Sequence, residues 1–131
     1  MQISENRDSY YERIGGEIPL RRLVHAFYRH MDTLPDAAQV RDMHAADLGS
    51  AEDKLFMFLS GWMGGPSLYM EKFGHPRLRM RHMPFGIDEA ARDQWMLCMQ
   101  QALADVVDDT ALRDELMHAF YGVADFMRNR P

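Results

Sequence analysis

Residues 74–95 read GHPRLRMRHMPFGIDEAARDQW, and they gather two histidines, four arginines, two prolines and a tryptophan into 22 positions. Glycines and prolines recur from residue 64 to residue 87, so this part of the chain can hold only short pieces of helix. Its aromatic residues argue against a disordered linker. A long irregular segment inside a compact domain is usually functional, so we expect a functional site here.

Helical spacing of apolar residues precedes this segment. Pro19 suits a first helical turn, and apolar residues recur at three- and four-residue intervals as far as Met31. That helix is predicted to end before Pro35, and a short helix is predicted over residues 36–43. A capping box starting at Ser50 predicts a further helix that stops at the glycines at 64 and 65.

Two more helices are predicted after the segment. Asp88 can cap a long one, and Asp109 or Thr110 can cap the last. Strand signals are weak, because the chain has no Asn-Gly hairpin and no sustained alternation of β-branched residues. The fold class predicted is all-α. The positions predicted to be buried on these two helices are Ala91, Trp95, Cys98, Met99, Ala102, Leu103, Val106, Leu112, Leu116, Phe120, Val123 and Met127.

Length and composition narrow the class of protein. The 131 residues suit one domain over 1–131, and we expect residues 1–9 to be a flexible N-terminal extension. A net charge of −5 argues against nucleic-acid binding by bulk electrostatics, and the lack of a twenty-residue apolar run argues against a membrane span. Cys98 is the only cysteine, which excludes an internal disulfide. Without a recognisable targeting signal, a cytoplasmic location is the default expectation.

His82 is the candidate metal ligand of the quoted stretch. Zinc needs three or four ligands at characteristic spacings, and the six histidines and one cysteine do not form such a pattern. Haem iron needs only one protein ligand, usually a histidine, because the porphyrin supplies the other nitrogens. Taken alone, His82 can equally be a hydrogen-bonded or exposed histidine.

Arg77, Arg79 and Arg81 directly precede that histidine and form a basic cluster with Lys72 and His75 in an otherwise acidic chain. Guanidinium groups pair with carboxylates, and haem presents two propionates at one edge. Two other interpretations stay open at this point. The cluster can be a solvated loop that pairs with the protein's own acids, or a short exposed strand that contacts a phosphate backbone.

Trp95 and Tyr28 lie on predicted apolar helix faces and carry polar tips. A buried indole N–H or phenol hydroxyl needs a partner, and each can point into a cavity as a donor. Each can also be an ordinary core aromatic whose tip reaches solvent or backbone.

The sequence resembles the group II truncated haemoglobins. The resemblance is most specific in GGPSLYMEKFGHPRLRMRHMPFGIDEAARDQWMLCM, residues 64–99, and it covers nearly the whole chain from Tyr10 onward. Supporting motifs are YERIGG at residues 11–16, FYRHM at 27–31 and EDKLFMFLSGW at 52–62. The resemblance implies a globin-like two-over-two helical sandwich whose proximal helix is reduced to a loop and one short turn.

The resemblance also implies haem b as cofactor and assigns residues around it. His82, in the motif RMRHxPF, matches the proximal iron ligand. On the distal side, Tyr28 and Trp95 match residues that donate to the ligand on iron, and His44 matches a position that varies among phenylalanine, tyrosine and histidine. Ala51 matches the gate position usually held by a distal histidine, and Leu55 lies one turn deeper. Lys54, Tyr69, Arg79 and Arg81 match positions that can reach the propionates, and the other predicted cofactor contacts are Phe27, Phe58, Phe85 and Met99.

The functional hypothesis follows from the polar distal set. Ferrous haem on a neutral imidazole leaves one position for dioxygen, carbon monoxide, nitric oxide or sulfide, and donors aimed at the ligand slow its release. Slow release disfavours oxygen transport and favours redox chemistry, such as nitric oxide dioxygenation or peroxidase-like activity with an unidentified reductase. The alternatives are a non-enzymatic module for gas binding, storage or sensing, and a haem-free helical interaction domain. The resemblance leaves open a monomer or a homodimer.

Overall fold

A computed structural model describes residues 9–131, and this range is helical, with no strand. The all-α prediction is therefore confirmed. Of the flexible extension predicted over residues 1–9, residues 1–8 lie outside the described part of the chain. The α-helices of the described range are α1 (Tyr10–Ile14), α2 (Glu17–Thr33), α3 (Ala38–Asp42), α4 (Gly49–Trp62), α5 (Leu68–Phe73), α6 (Leu78–His82), α7 (Glu89–Val106) and α8 (Thr110–Phe126), and a 3₁₀ turn, Pro35–Ala37, precedes α3.

Helix α2 forms the centre of the core. It starts two residues before Pro19, which lies in its first turn and therefore interrupts no hydrogen bond of the helix interior. Its most extensive packing is against α7, and it also contacts α4. The apolar spacing predicted from the sequence is confirmed by burial. The buried residues of α2 are Leu20, Leu23, Val24, Ala26, Phe27, Tyr28 and Met31.

The two C-terminal helices start at caps that the sequence predicted. The Asp88 carboxylate accepts a hydrogen bond from the Ala91 N–H at 2.9 Å, and the Asp109 carboxylate accepts one from the Leu112 N–H at 3.1 Å. Each cap satisfies an amide group that has no partner within its helix. Between Asp109 and Thr110, the first is the cap. Trp95, Val106 and Val123, which were predicted to be buried, are only half-buried.

Helix α4 starts differently from the sequence prediction. It begins at Gly49, its N-cap Leu48 provides no side-chain hydrogen bond, and the predicted capping box at Ser50 does not form. The Asp47 carboxylate instead accepts from the Gly49 N–H at 2.8 Å, just before the helix. An aspartate that binds the backbone two residues ahead forms a turn of its own, and this turn replaces the serine cap.

The end of α4 depends on two glycines. Gly64 adopts a φ of +95°, in the left-handed region that side chains disfavour. Gly65 lies against the ring of Tyr11, so that a Cβ at this position would approach Cγ of that ring to 2.6 Å. This contact, together with the 2.9 Å hydrogen bond from the Tyr11 N–H to the Met63 carbonyl, fixes α1 beside the end of α4.

Candidate functional site

An apolar cavity of about 250 Å³ lies among α4, α7, α8 and the short helices α3 and α6. Its size is close to the lower end for small-molecule sites, which is roughly 300 Å³. Its wall includes Tyr28, Val40, Met43, His44, Leu55, Phe58, Leu59, Trp62, Leu78, His82, Phe85, Ile87, Ala91, Arg92, Trp95, Phe120, Val123, Ala124 and Met127.

His82 is the last residue of α6 and lies half-buried in this wall. Its ring Nδ1 is 2.6 Å from the carbonyl oxygen of Leu78, four residues earlier. Because a carbonyl only accepts, Nδ1 carries the proton and the neutral ring keeps its lone pair on Nε2. Histidines that bind metals typically donate their other ring N–H in this way, which fixes the tautomer and the orientation of the ring. The local structure therefore leaves Nε2 as the nitrogen available to a metal.

Tyr28 and Trp95 line the same cavity as His82 and carry polar tips. Phe27 lies between them, with its ring centroid 4.9 Å from that of Tyr28 and 5.0 Å from that of Trp95. Within residues 9–131 neither the Tyr28 hydroxyl nor the Trp95 indole N–H has a hydrogen-bond partner, and no fully buried side-chain N or O atom there lacks one. Both tips therefore stay accessible, and both residues line the cavity. Burial raises the pKa of the Tyr28 hydroxyl above its usual value, so this group stays protonated.

His44 follows α3 and shares the wall with Tyr28, with their ring centroids 5.8 Å apart and the rings nearly perpendicular. Its Nδ1–H donates to the Val40 carbonyl at 2.9 Å, so the neutral ring has its lone pair on Nε2, like His82. Burial is the main cause of its lowered pKa, opposed in part by the Val40 hydrogen bond. His44 is consequently an acceptor at neutral pH and becomes a double donor only on protonation.

The cavity wall includes seven of the predicted site residues, namely Tyr28, His44, Leu55, Phe58, His82, Phe85 and Trp95. Phe27 and Met99 are fully buried in the core, and Phe27 packs behind the aromatic rings that reach the cavity. Ala51 is half-buried in the first turn of α4 and does not belong to the wall. For these three residues, direct contact with a cofactor stays a prediction that the cavity does not support.

The four predicted propionate partners lie outside the cavity wall. The Lys54 ammonium lies 5.7 Å from the ring centroid of Phe73, and the Tyr69 ring packs 4.9 Å from the same ring. Arg79 donates to the carbonyls of Phe126 and Arg128, each at 3.2 Å, and Arg81 donates to the carbonyl of Pro76 at 2.8 Å. The two arginines thus bind the main chain, a role that the sequence analysis did not consider.

Several wall residues were missed as site residues. Trp62 stacks on Phe120 at 4.9 Å, and the spacing of Phe120 and Val123 on α8 had predicted only that they face inward. Arg92 also lines the cavity, with its guanidinium 2.8 Å from the Asp125 carboxylate. This hydrogen bond raises the pKa of Arg92, which stays charged. Helical periodicity identifies inward faces but does not distinguish core from cavity wall, which is also why the half-burial of Trp95 and Val123 went unpredicted.

An all-α fold around an apolar cavity whose wall carries oriented histidines is typical of the globin class. Comparison with known proteins supports this. A family model described as bacterial-like globin matches residues 9–129. A group 2 truncated haemoglobin of Bacillus subtilis (strain 168) is 37% identical over 120 residues, which cover 92% of this chain and 85% of the relative.

Solved structures are similar over nearly the whole chain. The group II 2-on-2 haemoglobin of Agrobacterium tumefaciens has a TM-score of 0.90 and 41% identity, with 94% of this chain and 95% of that chain covered. The cold-adapted truncated haemoglobin of Pseudoalteromonas haloplanktis TAC125 has a TM-score of 0.92 and 44% identity, with 95% and 100% covered. The chain belongs to the bacterial-like globin family as a group II truncated haemoglobin with the 2-on-2 fold.

Membership of this family implies haem-based binding of small diatomic ligands. The residues of the cavity fit that cofactor, since the apolar wall carries two half-buried imidazoles, His44 and His82, each with its Nδ1–H bound to a carbonyl and its Nε2 available. No helix within residues 9–131 has the length and apolar character needed to cross a bilayer.

Proposed function

We propose that haem b occupies this cavity with His82 as its protein ligand, and that the polar groups of the distal side retain a diatomic ligand for redox chemistry. The observation that carries the proposal is the 2.6 Å bond between the His82 ring and the Leu78 carbonyl. It makes Nδ1 the donor and leaves Nε2 available at the wall of an apolar cavity. When bound, the haem supplies an iron with one further position for a diatomic ligand.

Tyr28 and Trp95 are the donors in this proposal. Both line the cavity and both have polar tips without a protein partner in the described chain. A net hydrogen bond of about 1–1.5 kcal/mol from each slows ligand release by about 10²-fold in total. In an apolar cavity such donors act more strongly on a partly charged ligand than they do in water. The Tyr28 hydroxyl, whose pKa is raised by burial, keeps its proton over the whole physiological range.

His44 supports the distal donors without acting as one at neutral pH. Its lone pair on Nε2 can accept from the Tyr28 hydroxyl or from a water, and this would orient the hydroxyl. Proton delivery from His44 requires the doubly protonated ring, which its lowered pKa disfavours above pH 6.5. Any proton transfer that involves His44 therefore requires acidic conditions, and at neutral pH Tyr28 acts as a hydrogen-bond donor that keeps its proton.

Two of the predicted propionate partners keep that role in the proposal. Lys54 and Tyr69 have polar ends without a hydrogen-bonding protein partner within residues 9–131, and both pack on Phe73. The guanidinium groups of Arg79 and Arg81 are already bound to main-chain carbonyls. We propose that these two arginines instead hold in place residues 77–87, which carry His82 and which we call the histidine segment.

The reaction class follows from ligand retention. A solved relative from Bacillus subtilis, 35% identical with a TM-score of 0.84, is an oxygen-avid truncated haemoglobin. Tight retention by Tyr28 and Trp95 would make this chain similar to it, and would favour reaction of bound dioxygen with nitric oxide, or peroxide activation, over oxygen transport. Repeated turnover with nitric oxide would need electrons from a reductase, and turnover with peroxide would need a reducing substrate. A cytoplasmic setting and a monomeric or homodimeric state belong to the same proposal.

Stopped-flow kinetics on one preparation tests the proposal. The oxygen dissociation rate is measured by displacement with carbon monoxide, and turnover is then measured with nitric oxide and with hydrogen peroxide. Slow dissociation together with turnover of either substrate is the expected result. Rapid dissociation without turnover would leave the alternative, a non-enzymatic module for gas binding, storage or sensing. A haem-free interaction domain would show no Soret band after reconstitution with hemin.

A further inference from the structure

The segment that carries His82 is weakly held by its own packing. From residue 77 to residue 87, only Ile87 is buried, and only Leu78 and His82 are half-buried. Helix α6 is a single turn, which is too short to be stable alone. It starts after Arg77, whose φ of +48° is costly for a residue with a side chain. The orientation of His82 must therefore depend on contacts from elsewhere in the chain.

Those contacts come from residues 126–130, which we call the tail clamp. The Arg79 guanidinium donates to the carbonyls of Phe126 and Arg128. On the other side of His82, the N–H groups of Asn129 and Arg130 both donate to the Ile87 carbonyl, at 2.9 and 3.1 Å. The tail clamp thus binds the histidine segment on both sides of the ligand.

The Asn129 side chain connects the two ends of the loop that follows His82. Its Nδ2 donates to the carbonyl of His82 itself at 3.1 Å, and its Oδ1 accepts from the Ile87 N–H at 2.9 Å. The His82 carbonyl also accepts from the Phe85 N–H at 3.0 Å, so the Asn129 amide is its second hydrogen-bond partner. A single half-buried side chain thereby fixes the residue that carries the ligand and the residue where the buried chain resumes.

The tail clamp is itself attached to α7. The Arg128 guanidinium donates to the Asp125 carboxylate at 2.8 Å, and the same carboxylate accepts from Arg92 at 2.8 Å. Arg92 lines the cavity one turn before Trp95 on α7. The position of the clamp is therefore set by the helix that carries the distal tryptophan.

We propose that Asn129 is a positioning residue for His82, and that the tail clamp sets the placement of the imidazole and with it the strength of its bond to iron. This inference rests on the proposed function of His82 as the iron ligand. Asn129 does not itself line the cavity, and it acts through the main chain of two residues that do, His82 and Ile87.

Three variants of the haem-loaded protein test the inference. Asn129→Ala removes both side-chain hydrogen bonds. Asn129→Asp keeps an acceptor for the Ile87 N–H and removes the donor to the His82 carbonyl. Gln101→Ala is the matched control, since Gln101 is an exposed amide residue on α7 that lies outside the cavity wall. Circular dichroism establishes that each variant is folded.

Three readouts separate positioning from general stability. Resonance Raman spectra of the ferrous proteins report the iron–histidine stretching band, which we expect to shift in both Asn129 variants and not in Gln101→Ala. Hydrogen exchange of the amides over residues 79–87 is expected to be about 3- to 10-fold faster in Asn129→Ala, with α2 unchanged. Haem transfer to excess apomyoglobin is expected to be faster by a similar factor.

The outcomes distinguish this inference from the function on which it rests. If the iron–histidine band is lost in His82→Ala but is identical to wild type in folded Asn129→Ala and Asn129→Asp, the positioning role is refuted and the ligand assignment stands. If the band persists unchanged in His82→Ala, the proposed ligand is wrong. Unchanged exchange over residues 79–87 in Asn129→Ala would overturn the clamp whatever binds the iron.

Discussion

Replacement of Trp95 by phenylalanine tests the distal side of the site with little change in packing. The indole lies 5.0 Å from the Phe27 ring and 6.0 Å from the Phe120 ring, measured between centroids. A phenyl ring at this position can keep both contacts, while the only polar group, the indole N–H, is lost. Since that N–H has no partner within residues 9–131, its removal leaves no protein acceptor unsatisfied.

The magnitude follows from one hydrogen bond to the bound gas. A net loss of about 1–1.5 kcal/mol corresponds to oxygen dissociation that is about 10-fold faster, because 1.4 kcal/mol is a factor of ten. The dissociation rate is measured by stopped-flow displacement of dioxygen with carbon monoxide. Combining this change with Tyr28→Phe should raise the rate by about 10²-fold if the two donors act independently.

Trp62→Phe is the matched control for cavity volume. Trp62 lines the same cavity and stacks on Phe120 at 4.9 Å, so this variant removes the same number of atoms from the same wall. We expect it to change the dissociation rate less than about 3-fold, below the effect of one hydrogen bond. Equal acceleration in Trp62→Phe and Trp95→Phe would refute the donor role of Trp95 and indicate that free volume controls release.

Further predictions concern pH and stability. The pKa of His44 is lowered in the folded protein, so below pH 6.5 the unfolded chain binds more protons and the free energy of unfolding falls as the pH drops. The decrease in the urea midpoint between pH 7.5 and pH 5.5 should therefore be smaller in His44→Gln than in wild type. An equal decrease in both proteins would contradict the lowered pKa of His44. Gly65→Ala should destabilise the protein by about 1–3 kcal/mol, because its Cβ would overlap the Tyr11 ring. Gly122 lies in α8, and a Cβ added there would have no atom within 4 Å, so Gly122→Ala should stabilise the protein by about 0.5–1 kcal/mol. Thermal unfolding of the two variants would show whether their stability changes have opposite signs.

Much of the fold could be predicted because its determinants are local. The apolar spacing of α2, the aspartate caps of α7 and α8 and the break at the glycines of residues 64 and 65 all depend on residues within one or two turns of each other. Ser50 shows the limit of this reasoning. A capping box requires Ser50 to precede its helix, and the turn formed by Asp47 starts α4 at Gly49 instead.

The site was less predictable because its contacts are tertiary. The arginines before His82 matched carboxylate-binding residues, yet Arg79 finds its acceptors on residues 126 and 128, and nothing in the local sequence specifies that pairing. Asn129, 47 residues from His82, had no signal at all. Phe120 and Val123 had the right periodicity, but the same periodicity describes a filled core and a cavity wall.

The absorption spectrum of His82→Gly, with and without added imidazole, tests the central claim most directly. Removal of the side chain leaves space for a free imidazole at the position of the lost ring. The account predicts that hemin-reconstituted wild type shows a Soret band with a five-coordinate ferrous form on dithionite reduction, that His82→Gly loses this form, and that millimolar imidazole restores it. A ferrous spectrum in His82→Gly that equals wild type without imidazole would contradict the account, since the iron would then be held by another residue.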